Sequence, residues 1–401
     1  MFPLITTQPL TFLIAMSRSI VHMDLDTFFV SCERLSNPKL NGLPLIIGGT
    51  SDRGVVASCS YEARKFGVRS AMPMKFALRL CPQAKVIKGD MELYSNKSHE
   101  VTAIIEDQAP VVEKASIDEF YLDISGMDKF FGCYKWTSEL TSRIMKESGL
   151  PISFALSVNK TVSKIGTGEA KPVGKLEIVE NMVRPFLNPL PIQKIPGLGD
   201  VTSQLLSRIG IRTIQTLSEM PADVLQQMIG KNGIELWKKA NGIDNNPVEP
   251  YSERKSISTE HTFEKDTIDI PKLKALIVGM VEKLAFQLRS EKWLTSTVVI
   301  KIRYNNFDTE IKQCKVAYTS CDHLLINKVT DLFDKVYERR MRLRLIGVRF
   351  TGLVHGTYQI DMFDDTSEMI SLYQAIDKMK NRFGFDAITR CAGTTMKDKK
   401  K

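Results

Sequence analysis

Two apolar segments, each interrupted by acids where a buried strand tolerates few, constrain this chain more than anything else in it. SIVHMDLDTFF, residues 19–29, is a short apolar run carrying Asp24 and Asp26. Successive strand side chains point to opposite faces, so acids two apart share a face. VVEKASIDEFYLDI, ending at Ile124, reads as two strands with an acidic break, where Asp118 and Glu119 are adjacent. On a regular strand they would point apart, so they converge only if the chain turns or bulges there. Carboxylates gathered at strand ends suit hard divalent cations, which want oxygen ligands. Two such ions about 4 Å apart activate an attacking hydroxyl and stabilise a leaving group. Solvated strand ends or caps are the plainer reading of any single DxD.

The surrounding texture predicts short strands at LPLII (43–47), GVVAS (54–58) and PISFALSV (151–158), with helical spacing over 61–66, 98–107 and 136–147. Strands interleaved with helices argue for an α/β or α+β unit. NPLPIQKIPGLGD (188–200) opens a small all-α segment that runs to Asn241. NGIDNNPVEPYSERKS (241–256) has no apolar period and reads as a linker. A second α/β unit follows: helix 271–291, strands 295–304 and 309–317, helix 322–339 and strand 342–353. One amphipathic helix, MISLYQAIDKMKNRFG, precedes a lysine-rich end.

Lys plus Arg outnumber Asp plus Glu by 55 to 46, a net charge of +9 that fits a polyanionic partner. The 7 cysteines form no CxxC pair, which argues against a disulfide framework or structural zinc. No apolar run is long enough to span a bilayer, so no membrane partner is expected. Residues 1–15 lack a basic stretch and read as a disordered or mis-annotated lead-in, with Met16 the more natural start.

VHMDLDTFFVSCE, SYEARKFGVRSAMP, SIDEFYLDIS and AKPVGK occur in the order and rough spacing of the Y-family translesion DNA polymerases. The chain resembles the bacterial polymerase IV branch of that family over nearly its whole length. The resemblance implies a multidomain α+β right hand: an α/β palm (16–28 and 90–180), small fingers (29–89), a helical thumb with a helix-hairpin-helix (181–242), a linker (243–256), an α/β little finger (257–357) and a tail (358–401). It implies a cytoplasmic, monomeric nucleotidyltransferase that adds deoxynucleotides to a primer 3′-hydroxyl, with low fidelity and a role in DNA damage and repair. No segment carries a separate exonuclease acid cluster, so no proofreading is expected.

The resemblance also implies residue roles. Asp24 and Asp118 would bridge two Mg²⁺ ions, Glu119 would complete the site of the ion that activates the primer, and the Leu25 backbone carbonyl would serve the nucleotide-bound ion. Asp26 would support the site more than ligate. Tyr61, Arg64 and Lys171 would grip the triphosphate, with Ser58 beside them. Phe29 would be the steric gate against a 2′-hydroxyl, while Phe28 borders the site mainly as core packing. Phe120 stands where many relatives carry a small residue.

IPGLG, with Gly197 and Gly199, would bring backbone N–H groups to a DNA phosphate. In the second unit, Lys301 and Arg303 share one strand face, and Arg342 and Arg344 another opposite Leu343 and Leu345, so each could meet the DNA backbone. Gln359, Met362 and Phe363 of QIDMF resemble the peptide that docks bacterial polymerases on the sliding clamp. A polymerase V-like catalytic subunit, a nucleotide cyclase and an inert DNA-binding scaffold are the rival readings. The last is opposed by the intact Asp24, Asp118, Glu119, Arg64 and Lys171.

Overall fold

Ile20–Leu25 (β1) is almost entirely buried and forms the middle of a five-stranded sheet. It pairs antiparallel with Glu119–Asp123 (β6) on one side and Ile152–Ser157 (β7) on the other. Val111–Lys114 (β5) and Lys175–Glu177 (β8) are the edges. The computed structural model describes residues 18–127, 132–250, 253–356 and 366–393, which divide into two compact units at residue 252.

Alternation decides what each face of this sheet does. Val21, Met23 and Leu25 share a core with Phe120, Leu122 and Phe154, closed by helices Met91–Gln108 (α4) and Cys133–Ser148 (α5). Phe120 is thus a core residue, packed on the face away from the acids. His22, Asp24, Glu119 and Tyr121 take the other face, against helix Lys160–Ala170 (α6). Gly166 permits that approach: a Cβ there would lie 2.8 Å from Ala155 Cβ. The helix starts cleanly because Asn159 accepts from Val162 N.

A smaller sheet, in the order Val56–Cys59 (β3), Leu45–Gly48 (β2), Lys85–Ile87 (β4), has its own core with Phe28–Ser36 (α1) along one side and Tyr61–Lys65 (α2) and Met74–Leu80 (α3) packed on it. Residues 183–240 are short helices around Leu206, Ile214, Leu217 and Leu236, the all-α segment expected from the Pro- and Gly-rich texture.

The segment expected to be a free linker is instead strapped to the large sheet as far as Glu249. Asp244 Oδ2 accepts from Thr161 N (3.1 Å) and Thr161 Oγ1 (2.7 Å) at the start of α6. Arg18 donates to the Asn246 carbonyl (2.8 Å), and Glu249 N donates to Glu113. Val248 is buried on Ile20 and Tyr121. These are mostly backbone and charge contacts, which leave no apolar period to read. Asp244→Ala is expected to cost the first unit about 1–2 kcal/mol, the price of losing a carboxylate at a helix start; a urea midpoint unchanged from the parent would contradict the strap.

The second unit is a four-stranded sheet in the order Thr309–Thr319 (β11), Trp293–Tyr304 (β10), Leu343–His355 (β12), Ser256–Thr267 (β9). Helices Ile270–Ser290 (α12) and Asp322–Val336 (α13) cover one face. β9 was unforeseen because Ile257 and Phe263 are the only buried apolar residues along it. Helix Thr366–Phe383 (α14) docks on the same unit.

Candidate active site

β1 register places Asp24 directly opposite Glu119 on the neighbouring strand. Asp118 precedes β6, in a bend of the chain, while Glu119 is the first residue of the strand. The Asp118 carbonyl accepts from Leu25 N (3.0 Å), which ties the bend to the end of β1. Ser116 shapes the bend: its hydroxyl donates to Asp118 Oδ1 (2.6 Å) and accepts from the N–H of Asp118 and of Glu119. Nothing in the sequence reading singled out Ser116, although a serine two residues before an acid is a common local turn signal.

Two lysines answer this negative charge. Lys171 Nζ is in contact with Asp24 Oδ1 and lies 4.0 Å from Asp26 Oδ1. Lys164 Nζ lies 2.5 Å from Glu119 Oε2. Burial raises the Asp24 carboxyl from 3.8 to about 6, with Asp118 and Glu119 pushing the same way and Lys171 opposing. A raised carboxyl destabilises the folded state as pH climbs from 3.8 through about 6, and fully above it. Among the described residues, no group of three or more Asp, Glu, His or Cys is gathered closely enough to hold a metal as it stands. The donor set of Asp24, Asp118, Glu119 and the Leu25 carbonyl is nonetheless all hard oxygen, the chemistry that Mg²⁺ selects.

Asp26 falls just past β1 and is 1% exposed. It accepts from Ser153 Oγ (2.8 Å), Val173 N (2.6 Å) and Tyr61 Oη (3.4 Å). Those bonds tie the loop carrying Lys171 to the sheet, so its geometry is that of a support. His22, on the α6 face of the sheet beside Tyr121, is buried with neither ring nitrogen partnered. Burial, helped by Lys164 and Lys171, holds its pKa well below the usual value, so the ring is neutral.

An open pocket joins the two sheets, lined by Asp24, Phe29, Ser58, Arg64, Asp118 and Lys171, with Leu25, Phe28 and Ser70 also at its wall. Tyr61 is set behind this lining, carrying the Arg64 guanidinium over its ring at 5.1 Å. Glu119 is also outside it, turned toward Lys164. The chain enters α1 through Thr27, whose left-handed backbone (φ 44°) turns the aromatic pair sharply off β1. Phe28 is 2% exposed in the core. The Phe29 ring stacks on Tyr94 (4.3 Å between centroids, 12° between planes), and Tyr94 Oη donates to Glu33 (2.6 Å). Tyr94 went unforeseen because it lies 65 positions away.

Gly197 has φ +90°, a conformation that glycine adopts freely, while Gly199 caps helix Asp200–Arg208 with open space where a Cβ would stand. In the second unit, Val298, Ile300 and Ile302 face the helices, leaving Lys301 and Arg303 on the open face. β12 departs from strict alternation. A register shift between Leu343 and Leu345 puts Leu343 in the core and Leu345 opposite Arg303. The expected Arg342/Arg344 face is therefore not built: Arg342 precedes the strand, and Arg344 stacks over Phe307 at 4.7 Å. Arg349, paired with Val299, is the arginine of β12 that joins Lys301 and Arg303. Lys301 is bridged to Glu260 at 2.9 Å. Gln359, Met362 and Phe363 lie outside the described residues.

Asp24 and Asp118, at the adjoining ends of the antiparallel neighbours β1 and β6, stand beside a cationic pocket with an aromatic wall, an arrangement that suits nucleotidyl transfer. The impB/mucB/samB family model matches residues 23–168, its C-terminal domain model residues 254–362, and the DNA polymerase-iota thumb domain model residues 193–244. Over 385 residues the chain is 36% identical to a DNA polymerase IV of Dehalococcoides mccartyi, covering 95% of this chain and 99% of that one. A DNA polymerase IV of Streptococcus agalactiae is 37% identical over 343 residues, covering 84% and 94%. The structure of a Y-family DNA polymerase chimera superposes with a TM-score of 0.70 at 26% identity, covering 84% of this chain and all of that one. The chain belongs to the impB/mucB/samB family and is a Y-family DNA-directed DNA polymerase of the bacterial polymerase IV type. DNA and nucleotides are its substrates. No described helix is long and apolar enough to cross a membrane.

Proposed function

We propose that Asp24, Asp118, Glu119 and the Leu25 carbonyl hold two Mg²⁺ ions at the mouth of the pocket and that a primer 3′-hydroxyl attacks a nucleotide α-phosphate there. One observation carries this reading: Asp24 and Asp118, brought together by the bond from Leu25 N to the Asp118 carbonyl, line the pocket of Phe29, Arg64 and Lys171, with Glu119 directly across from Asp24 on the neighbouring strand. The ions, when bound, would activate the hydroxyl and neutralise the leaving pyrophosphate. The chain supplies the rest. Arg64, braced on Tyr61, offers a planar fork to phosphate oxygens, and Lys171 a point charge. Ser58 adds a hydroxyl to the pocket wall. Positioning of the two reactants supplies much of the rate.

Residues 29–89 act as fingers, 181–242 as a thumb whose Gly197–Gly199 turn meets a phosphate, and 257–357 as the little finger, which meets DNA with the open face of the second sheet. Lys301, Arg303 and Arg349 give that face salt-dependent, sequence-independent affinity for DNA. Gln359, Met362 and Phe363 would anchor a monomeric enzyme on a sliding clamp. A small-fingered, non-proofreading site of this kind would tolerate damaged templates.

Phe29, held by Tyr94, excludes a 2′-hydroxyl. Phe29→Ala is expected to admit ribonucleotides by roughly 10–200-fold in relative kcat/KM, the range of steric discrimination in a pocket. Single-nucleotide insertion assays with paired deoxy- and ribonucleotides test it; a variant that loses both activities equally would make Phe29 a packing residue.

A further inference from the structure

Helix α6 spends its lysines on carboxylates. Lys160 and Lys164 lie four apart and so share a face, and Lys171 follows the helix end. Lys160 binds both oxygens of Glu113 at 2.6 Å, lies over the Tyr121 ring at 4.7 Å and touches the Pro247 carbonyl of the strap at 3.4 Å. Tyr121, the Pro247 carbonyl and the Glu249 N–H lock that pair. Lys171 contacts Asp24 at the pocket wall, where a triphosphate would give it a new partner.

Lys164 differs from both. Among the described residues its ion-pair partner is Glu119 alone, at 2.5 Å, with about a third of the lysine side chain and a quarter of the glutamate side chain exposed. Lys164 occupies Oε2 of Glu119, and an ammonium there weakens the hold of the same carboxylate on a divalent ion, since the two cations repel. The partial exposure leaves room for the ammonium to swing away, and a displaced ammonium next to a nucleic-acid end finds phosphate oxygens to bind.

We infer that Lys164 is a positioning residue that holds Glu119 in the ion-free site and competes with the divalent ion for it, coupling ion loading to the arrival of an anionic substrate. The inference rests on the assignment of Glu119 as an ion ligand. It implies that the ion-free enzyme binds divalent metal more weakly than its carboxylates alone would, because the site carries its own counter-charge. Substrate phosphates relieve the competition by taking the lysine.

Titration of the full chain with Mn²⁺, with free Mn²⁺ read by electron paramagnetic resonance at fixed ionic strength, tests this without any turnover. Lys164→Met is expected to bind the ion more tightly by on the order of tenfold in the absence of DNA and nucleotide, a modest fraction of the bare Coulomb term because the pair is partly exposed. Lys164→Arg keeps the charge and is expected to match the parent. Adding primer–template should tighten binding in the parent far more than in Lys164→Met. Glu119→Gln should lose the site. Unchanged or weaker affinity in Lys164→Met, or Lys164→Arg behaving like Lys164→Met, overturns the role of Lys164 while the ion site stands. Parent-like binding by Glu119→Gln overturns the ion assignment itself, and the inference with it.

Discussion

Asp118→Ala is expected to abolish templated primer extension, lowering kcat by at least ~10³-fold, while the protein stays folded and still binds primer–template duplex. The expectation follows from where Asp118 sits. Its carbonyl holds the end of β1 through Leu25 N, and that backbone bond survives loss of the side chain. The side chain accepts from Ser116 and lines the pocket, so truncation removes a carboxylate from the mouth of the site and little else. Ser116 would retain its bonds to the two backbone N–H groups, and the bend would persist. A gel of extension products beside a duplex-binding isotherm separates the two properties. An Asp118→Ala enzyme that extends at near-parent rate would move the chemistry away from these acids.

Arg289→Met is expected to destabilise the second unit by about 3–5 kcal/mol, the cost of removing the guanidinium that joins the buried Asp322 to the partly buried Asp377. The Arg289 side chain is 3% exposed. It donates to Asp322 Oδ1 (2.6 Å) and the Ser320 carbonyl (2.8 Å), and forks onto both oxygens of Asp377 (2.7 and 2.9 Å). Its guanidinium also lies over the Tyr373 ring at 4.8 Å. Asp377 and Tyr373 belong to α14, and Tyr373 is fully buried with its hydroxyl 2.7 Å from His323 Nδ1. One arginine on α12 therefore joins the start of α13 to a helix lying beyond residue 362, where the match to the family's C-terminal domain ends. Denaturant unfolding of the full chain, with limited proteolysis around residue 380 as a second reading, would report the loss. Asp377→Asn keeps the shape and removes a charge, so it should fall between parent and Arg289→Met. A change under about 1 kcal/mol in Arg289→Met would mean that packing elsewhere holds α14.

The residues that carry strong local rules were the ones readable from sequence. Asp24 on an apolar strand and the need for a turn at Asp118 follow from the two-residue period, and the register confirms both. The two α/β units and the helical segment between them follow from texture. Three features escaped for physical reasons. The β12 shift between Leu343 and Leu345 reverses which side chains face the core, and no local pattern announces a bulge. That is why Arg349, and not Arg342 or Arg344, joins Lys301 and Arg303. The strap over 242–249 is held by carboxylates and carbonyls, so its sequence looks like any polar linker. Tyr94 and Lys164 act through partners 65 and 45 positions away, Phe29 and Glu119, and such pairings exist only once the sheet has formed.

Templated synthesis is the property that the acids and the pocket beside them are proposed to deliver. The most direct measurement is single-nucleotide incorporation by the purified chain on a primer–template, opposite each of the four template bases, with Mg²⁺ and with chelator. Predicted is a one-nucleotide product that follows the template base, needs the divalent ion, and disappears in Asp118→Ala. A folded chain that binds the duplex but never extends it, or that adds nucleotides without regard to the template, would contradict that proposal.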